Sequence, residues 1–354
     1  MKWKPDWPQA KRNLIKWWNR KGLALSLIAP RKTPLVPIPE PKSPVDDKGR
    51  WTGAKYRCDR AEFDMARAHF HAEAFPCFET QIGPGSLGTF LGSEPHFDPV
   101  TVWYEPCIMD PDTYGTIRLE PAKSKWFNVH MDLIEEGVRR ADGRYLVGLP
   151  DLIENIDTLA AMRGNQELLL DLVERPGWVK ERLVEINEAF FEAFDLMAAR
   201  VRDEDGGNAF VFRIWGPGRT AKVQCDFSCM ISPKMFREFV QPALRAQCDW
   251  LDYSLYHLDG TNAMQHVEPL LEIDSLDAIE WTPQAGRPGG GSPEWFDLYR
   301  RIRKGGKSVQ AIGVGVDELA PLLDAVGPEG LFVMAWASSE AEAEKMLAIS
   351  EKYR

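Results

Sequence analysis

The sequence predicts an α/β protein of the (β/α)8 TIM-barrel type, preceded by an N-terminal extension. Three features point there. From about residue 98 onward short apolar runs alternate with amphipathic stretches, most of the runs are apolar on both faces, and no GxGxxG follows the first of them.

Strands apolar on both faces, separated by helices, imply parallel pairing with right-handed crossovers. The runs are VTVWYEP, GRYLVGLP, NAFVFRIWG, AKVQCDF, LDYSLYHLD, LDAIEW, KSVQAIGV and GLFVMAWA. About eight such strands favour a closed barrel over an open sheet, and the missing dinucleotide fingerprint weighs the same way. Helices are expected at 124–141, 178–202, 232–250, 261–272, 294–305, 316–326 and 338–352. Ser232 before Pro233 and Ser292 before Pro293 pair an N-cap with a first-turn proline, and Ser338-Ser339-Glu340 opens the last helix. A single barrel domain is expected over 51–354. Residues 1–50 are expected to stand before it as a docked surface segment, MKWKPDWPQAKRNLIKWWNRKG, and an arm. Six prolines between positions 30 and 50 resist regular structure there.

Composition narrows the function. The chain has 43 basic and 53 acidic residues, a net charge of −10. That balance argues against nucleic acid as a partner, because phosphate binding needs a basic surface. No apolar run approaches the roughly 18 residues of a membrane span, so no membrane partner is expected. The first residues lack the apolar core of a signal peptide. Cysteines at 58, 77, 107, 225, 229 and 248 contain no CxxC pair, which suits a reducing cytoplasm. Cys225 and Cys229 bracket Asp226 in QCDFSC, a spacing read as buried small residues beside a site. Thirteen tryptophans suggest a large amphipathic binding surface as well as core.

Chemistry in a barrel gathers at the C-terminal ends of the strands. YHLDG places His257 and Asp259 two apart, so on a strand both leave by one face. Neighbouring ends supply Glu154, Asn155 and Asp157, then Arg213 and Trp215, Gln224 and Asp226, and Glu280 and Trp281. His257, Asp259 and Asp226 are the candidate catalytic residues. Arg213, Trp215, Glu154, Asn155, Glu280, Trp281 and Trp103 are the candidate substrate-binding residues. Trp103 and Tyr104 with Trp215 and Trp281 would form an aromatic wall. An imidazole and a carboxylate can ligate a metal, act as acid and base, or bind a polar ligand, and spacing alone does not choose. For a metal, His257 and Asp259 supply two ligands and Glu280 or Asp226 the third, a hard set accepting Zn²⁺ or another divalent ion. The Gly-rich FETQIGPGSLGTFLG at 78–92 is expected to fold over the mouth, and its amides could face an anion.

RYLVGLPDLIENIDTLAAMRGNQELLLDLVERPGWVKERL, CDFSCMISPKMFREFVQPALRAQCDWLDYSLYHLDG and GLFVMAWASSEAEAEKML resemble the uroporphyrinogen decarboxylase (URO-D)-like superfamily, which includes corrinoid-linked methyltransferases. The resemblance runs from about residue 145 to the C-terminus and rests most on ISPKMFREFVQP. It implies a (β/α)8 barrel with its pocket at the strand ends. In the zinc-dependent members a His-x-Cys and a later Cys ligate the metal. Here His257 matches the first position, Asp259 stands in place of the cysteine, and no cysteine follows Cys248. The Arg-rich segment of the decarboxylases is represented only by Arg31 and Lys32.

Three functions are expected to compete. One is methyl transfer between a small polar or methylated substrate and a corrinoid carried by a partner protein. The second is a metal-free decarboxylase or lyase, with Arg213 holding a carboxylate and His257 or Asp226 handling the proton. The third is a non-catalytic ligand-binding barrel. A homodimer is compatible with each.

Overall fold

The computed structural model describes residues 1–354. Its strands are β1 (Leu23–Pro30), β2 (Ala68–Ala72), β3 (Cys77–Glu79), β4 (Glu94–Phe97), β5 (Val102–Glu105), β6 (Leu146–Gly148) and β7 (Asn208–Phe210). They continue with β8 (Ile214–Gly216), β9 (Thr220–Gln224), β10 (Tyr253–Asp259), β11 (Ala278–Thr282), β12 (Ser308–Ile312) and β13 (Leu331–Trp336). The larger sheet has the order β2-β1-β13-β12-β11-β10-β9 and is parallel except where β2 joins β1. A second sheet, β3-β6-β7-β8, is parallel except for the β7–β8 hairpin, and β4 and β5 form a separate hairpin. The protein is therefore α/β with a parallel central sheet, as strand–helix alternation requires.

Most helices fall close to where periodicity places them, at Lys125–Ala141, Pro176–Val201, Phe296–Lys304, Val316–Val326 and Glu340–Ser350. The expected 232–250 helix is instead a short turn and a π-helical stretch before Gln241–Trp250, and the expected 261–272 helix is a 3-10 turn at Thr261–His266 followed by Val267–Leu271. Ser232 and Ser292 cap their helices by accepting from the amides of Met235 and Glu294. Ser339, not Ser338, caps the last helix, accepting from Glu342.

Three strand expectations change. LALSLIAP is a strand of the larger sheet, between β2 and β13, so residues 23–30 share a sheet with the later strands. Its signal is hidden because the Pro-rich arm, and no long helix, follows it directly. VTVWYEP belongs to the β4–β5 hairpin outside both sheets. NAFVFRIWG is not one strand, because Phe212 and Arg213 take φ of 61° and 55° and reverse the chain into β8. The N-terminal helix Trp7–Trp18 is also more than a docked segment. Trp17 donates to Val309 O at 3.2 Å, Trp18 to Trp215 O at 2.9 Å, and Ser308 Oγ to Trp17 O at 2.6 Å. Trp3, Trp7, Trp17 and Trp18 thereby join one continuous apolar core with the strands.

Side chains join the sheets where ladders do not. Asn208 on β7 donates from Nδ2 to Thr220 O at 2.7 Å and accepts from Thr220 N at 3.1 Å, linking β7 to β9. Gln310 on β12 donates from Nε2 to Phe212 O at 2.8 Å. Beside β1, the Glu73 carboxylate accepts from Leu25 N at 2.6 Å and pairs with Arg354 at 2.5 Å. Asn208→Ala should lower unfolding free energy by about 2–4 kcal/mol, because the buried amide and carbonyl of Thr220 both lose a partner. Urea denaturation monitored by tryptophan fluorescence measures it, and a loss under about 0.5 kcal/mol would contradict the bridging role.

Candidate functional site

Parallel pairing sets side chains in lateral rows. His257 on β10 is in register with Gln224 on β9 and Glu280 on β11, and Glu280 with Gln310 on β12. Four polar residues therefore form one band across four strands. Trp281, next along β11, faces the other way, is fully buried and packs on Trp295 at 5.0 Å.

Within the band, His257 Nδ1 contacts Glu280 Oε2, and Thr282 Oγ1 donates to Glu280 Oε1 at 2.7 Å. Glu280 is wholly buried. Phe212 lies against the imidazole with ring centroids 4.7 Å apart. Burial opposes a charge on His257, but the adjoining Glu280 carboxylate outweighs it and raises the pKa. Nδ1 is committed to Glu280, which leaves Nε2 as the free ring nitrogen. Removing His257 alone would strand a buried carboxylate, so structure and chemistry cannot be separated by His257→Ala.

Asp226 and Asp259 stand close to the ring. Candidate ligand atoms of Asp226, His257 and Asp259 all lie within 4.8 Å of one another. Both carboxylates belong to exposed residues, and burial of the Asp259 carboxyl raises its pKa. Asp157, from the helix Asn155–Arg163, accepts from the amides of Asp226 and Phe227 at 2.7 and 2.8 Å. Gln224 Nε2 donates to Asp226 Oδ2 at 2.9 Å. Burial first, then the charge of Asp226, raises the Asp157 pKa. Beneath them Lys222, fully buried, pairs with Asp151 at 2.6 Å and contacts Gln224 Oε1. Lys222, Gln224 and Asp226 share the period-two face of β9 and its continuation. That K-x-Q-x-D pattern in an apolar strand was the available signal for Lys222 and Asp157's partners.

The other expected site residues are placed differently. Glu280 backs the imidazole and does not complete a ligand set with Asp259. Trp215 is 1% exposed, donates to Asp203 at 3.0 Å and lies under Lys11, because the reversal at 212–213 turns β8 away from the site. Trp281 faces the helices. The aromatic wall is thus reduced to Trp103 and Tyr104. Asn155 is buried with φ 65° and accepts from Ile156 N, so it starts a helix and reaches no ligand. Glu154, also buried, accepts from Gln224 N at 2.9 Å and positions β9. In the Gly-rich loop, the amides of Ser86 and Leu87 already bond Asp151 O and Leu152 O, which leaves them no anion to bind. His130 holds Ser86 Oγ at 2.9 Å.

Two clefts are lined by expected site residues. One, of about 680 Å³, is lined by Trp103, Tyr104, Asp157, Gln224, Asp226 and Cys229. Cys229 is exposed, unlike Cys225, and partial burial followed by the Asp226 charge raises its thiol pKa. The other, of about 360 Å³, is lined by Arg57, Phe70, Glu79, Arg213 and Trp336 among others.

No family model and no curated protein matches the sequence. Among 21 matching chains of solved structures is a methyltransferase from Methanosarcina mazei. It superposes with a TM-score of 0.62 over 97% of this chain and 98% of that one, at 10% identity. The two chains share a fold from end to end. No helix is long and apolar enough to cross a membrane.

Glu154 yields a test of this electrostatic reading. Burial pushes its pKa up to about 8, and Oε2 has no partner. A carboxyl whose folded pKa is raised stays protonated in the folded state while the unfolded chain ionises. Stability should therefore fall as pH rises from about 4.5 to about 8. Glu154→Gln keeps the acceptor and removes the titration, so its stability relative to wild type should grow across that window. Parallel denaturation curves from pH 5 to about 8.5 check this; a constant difference would refute it.

Proposed function

We propose that this chain is a methyl-transferring enzyme of the URO-D-like superfamily, with a divalent cation held by Asp226, His257 and Asp259. The observation that carries the proposal is the convergence of those three ligand groups within 4.8 Å, with Glu280 on Nδ1 of the imidazole. A carboxylate on the second nitrogen of a ligating histidine is the usual support for a metal site. In this proposal the two sheets are arcs of one (β/α)8 barrel, with Asn208 spanning the gap between β7 and β9 and Gln310 reaching from β12 to the turn after β7. The end-to-end likeness to a methyltransferase fold supports this, and the second party to the transfer is a corrinoid on a partner protein.

The donor set fits a metal but not the thiolate site of the resembled enzymes. One imidazole and two carboxylates are hard ligands that suit Zn²⁺, Mn²⁺ or Mg²⁺ with little selectivity. A cation bound there supplies Lewis acidity toward a substrate hydroxyl, thiol or water. The chain's own residues prepare the place. Glu280 fixes the ring orientation, and Asp157 fixes the backbone of Asp226. Gln224 occupies one Asp226 oxygen and leaves the other free, and Phe212 shields one face of the imidazole. The raised pKa of Asp157 beside Asp226 favours a second reading, metal-free acid–base catalysis in a decarboxylase or lyase.

Metal analysis by mass spectrometry separates the two. Protein purified without chelator or His-tag should carry near-stoichiometric divalent metal. Asp226→Asn and Asp259→Asn should lose it with little change in melting temperature, because both residues are exposed. Glu280→Gln should weaken metal binding about 10–100-fold. Metal-free wild-type protein that turns over substrate would overturn the metal site and leave acid–base chemistry.

A further inference from the structure

The reversal between β7 and β8 is built in an unusual way. Phe212 and Arg213 are consecutive non-glycine residues with left-handed φ. Such backbone persists only where its surroundings over-determine it. Here Gln310 holds the carbonyl of Phe212 at 2.8 Å and the Phe212 ring packs on His257. The same conformation delivers Arg213 to the 360 Å³ cleft, which shares no lining residue with the cluster of Asp226, His257 and Asp259.

Arg213 differs from the other cations of that cleft. Arg57 donates to the carbonyls of Trp51, Gln81 and Glu79 at 2.7–2.9 Å. Arg60 pairs with Asp64 at 2.9 Å and Glu40 at 3.1 Å. Arg213 has only Glu79, at 3.8 Å, which is too far for a hydrogen bond. Its side chain is 24% exposed, so its planar fork of donors stays open to the cleft while Glu79 alone stands near it. The walls around it are apolar, with Ile28, Phe70, Phe78 and Trp336.

We infer that this cleft is a carboxylate subsite, in which Arg213 binds a small monocarboxylic acid whose apolar body lies against Phe70 and Trp336. This names the substrate class for the enzyme proposed above and rests on that proposal for its catalytic meaning. The guanidinium matches a carboxylate in two parallel hydrogen bonds. Glu79 beside it disfavours a second negative charge, which selects a monoanion over a dianion. Phe212 connects the two places, since it adjoins Arg213 in the chain and His257 in space.

The test is calorimetric titration of the full chain with benzoate, and with benzamide and phthalate as neutral and dianionic counterparts. Wild-type protein should bind benzoate saturably and each counterpart about tenfold more weakly or worse. Arg213→Asn removes the charge with a residue that tolerates left-handed backbone, so the turn should survive. It should bind benzoate about tenfold more weakly or worse and lose the preference over benzamide. Arg213→Lys, keeping charge without the fork, should fall between. Absence of saturable benzoate binding in the wild type, or wild-type affinity in Arg213→Asn, would overturn the subsite. Metal content measured on the same samples keeps the two ideas apart. Benzoate binding through Arg213 in metal-free protein would leave the subsite standing and remove the metal, and metal without benzoate binding would do the reverse.

Discussion

Everything at this site depends on the lateral register of β9 to β12. Parallel strands place Gln224, His257, Glu280 and Gln310 in one band, with their side chains on one face of the sheet. A slip of one residue in β11 would bring Trp281 to that face and send Glu280 toward the helices. The packing of Trp281 on Trp295 therefore defends the chemistry from the opposite side of the same strand. Burial of the Trp pair favours one register, and that register determines which carboxylate meets the imidazole.

A polar band inside an α/β core must satisfy itself, and this one does so in layers. Lys222 answers Asp151, Glu280 answers His257 and Thr282, and Asp157 takes two backbone amides. Each buried charge is thereby paired or hydrogen-bonded, as the cost of an isolated one demands. At the strand ends Asp226 keeps one oxygen free beside the one that Gln224 holds, and Asp259 stands exposed. Lys222 and Glu280, which hold others, are buried, and the two carboxylates at the strand ends are exposed. Arg213 follows the same logic from a turn, with the carbonyl of the preceding Phe212 held by Gln310 and its guanidinium near Glu79 alone.

Much of this was legible in advance. The helix spans follow from amphipathic period, because their apolar stripes recur every 3.6 residues whatever they pack against. The His257–Asp259 pairing on one face follows from the strand's period of two. Asp226 was legible for the same reason, lying two beyond Gln224 and four beyond Lys222 at the end of an apolar run. By contrast β1 was hidden by the arm that follows it. The hairpin nature of NAFVFRIWG was hidden because left-handed backbone at Phe212 and Arg213 has no signature in residues that normally avoid it.

The sequence by itself determined the alternation of strands and helices and the pair at 257 and 259, since these depend on residue type and local period. Only the tertiary structure decided which residues meet across strands. It put Glu280 behind the ring and Asp226 beside it, turned Trp215 and Trp281 into core, and made the N-terminal tryptophans a floor under β12. The reason is physical. Local period tells which face a side chain takes, but partners across a sheet are set by register and by the competing burial of every neighbour at once.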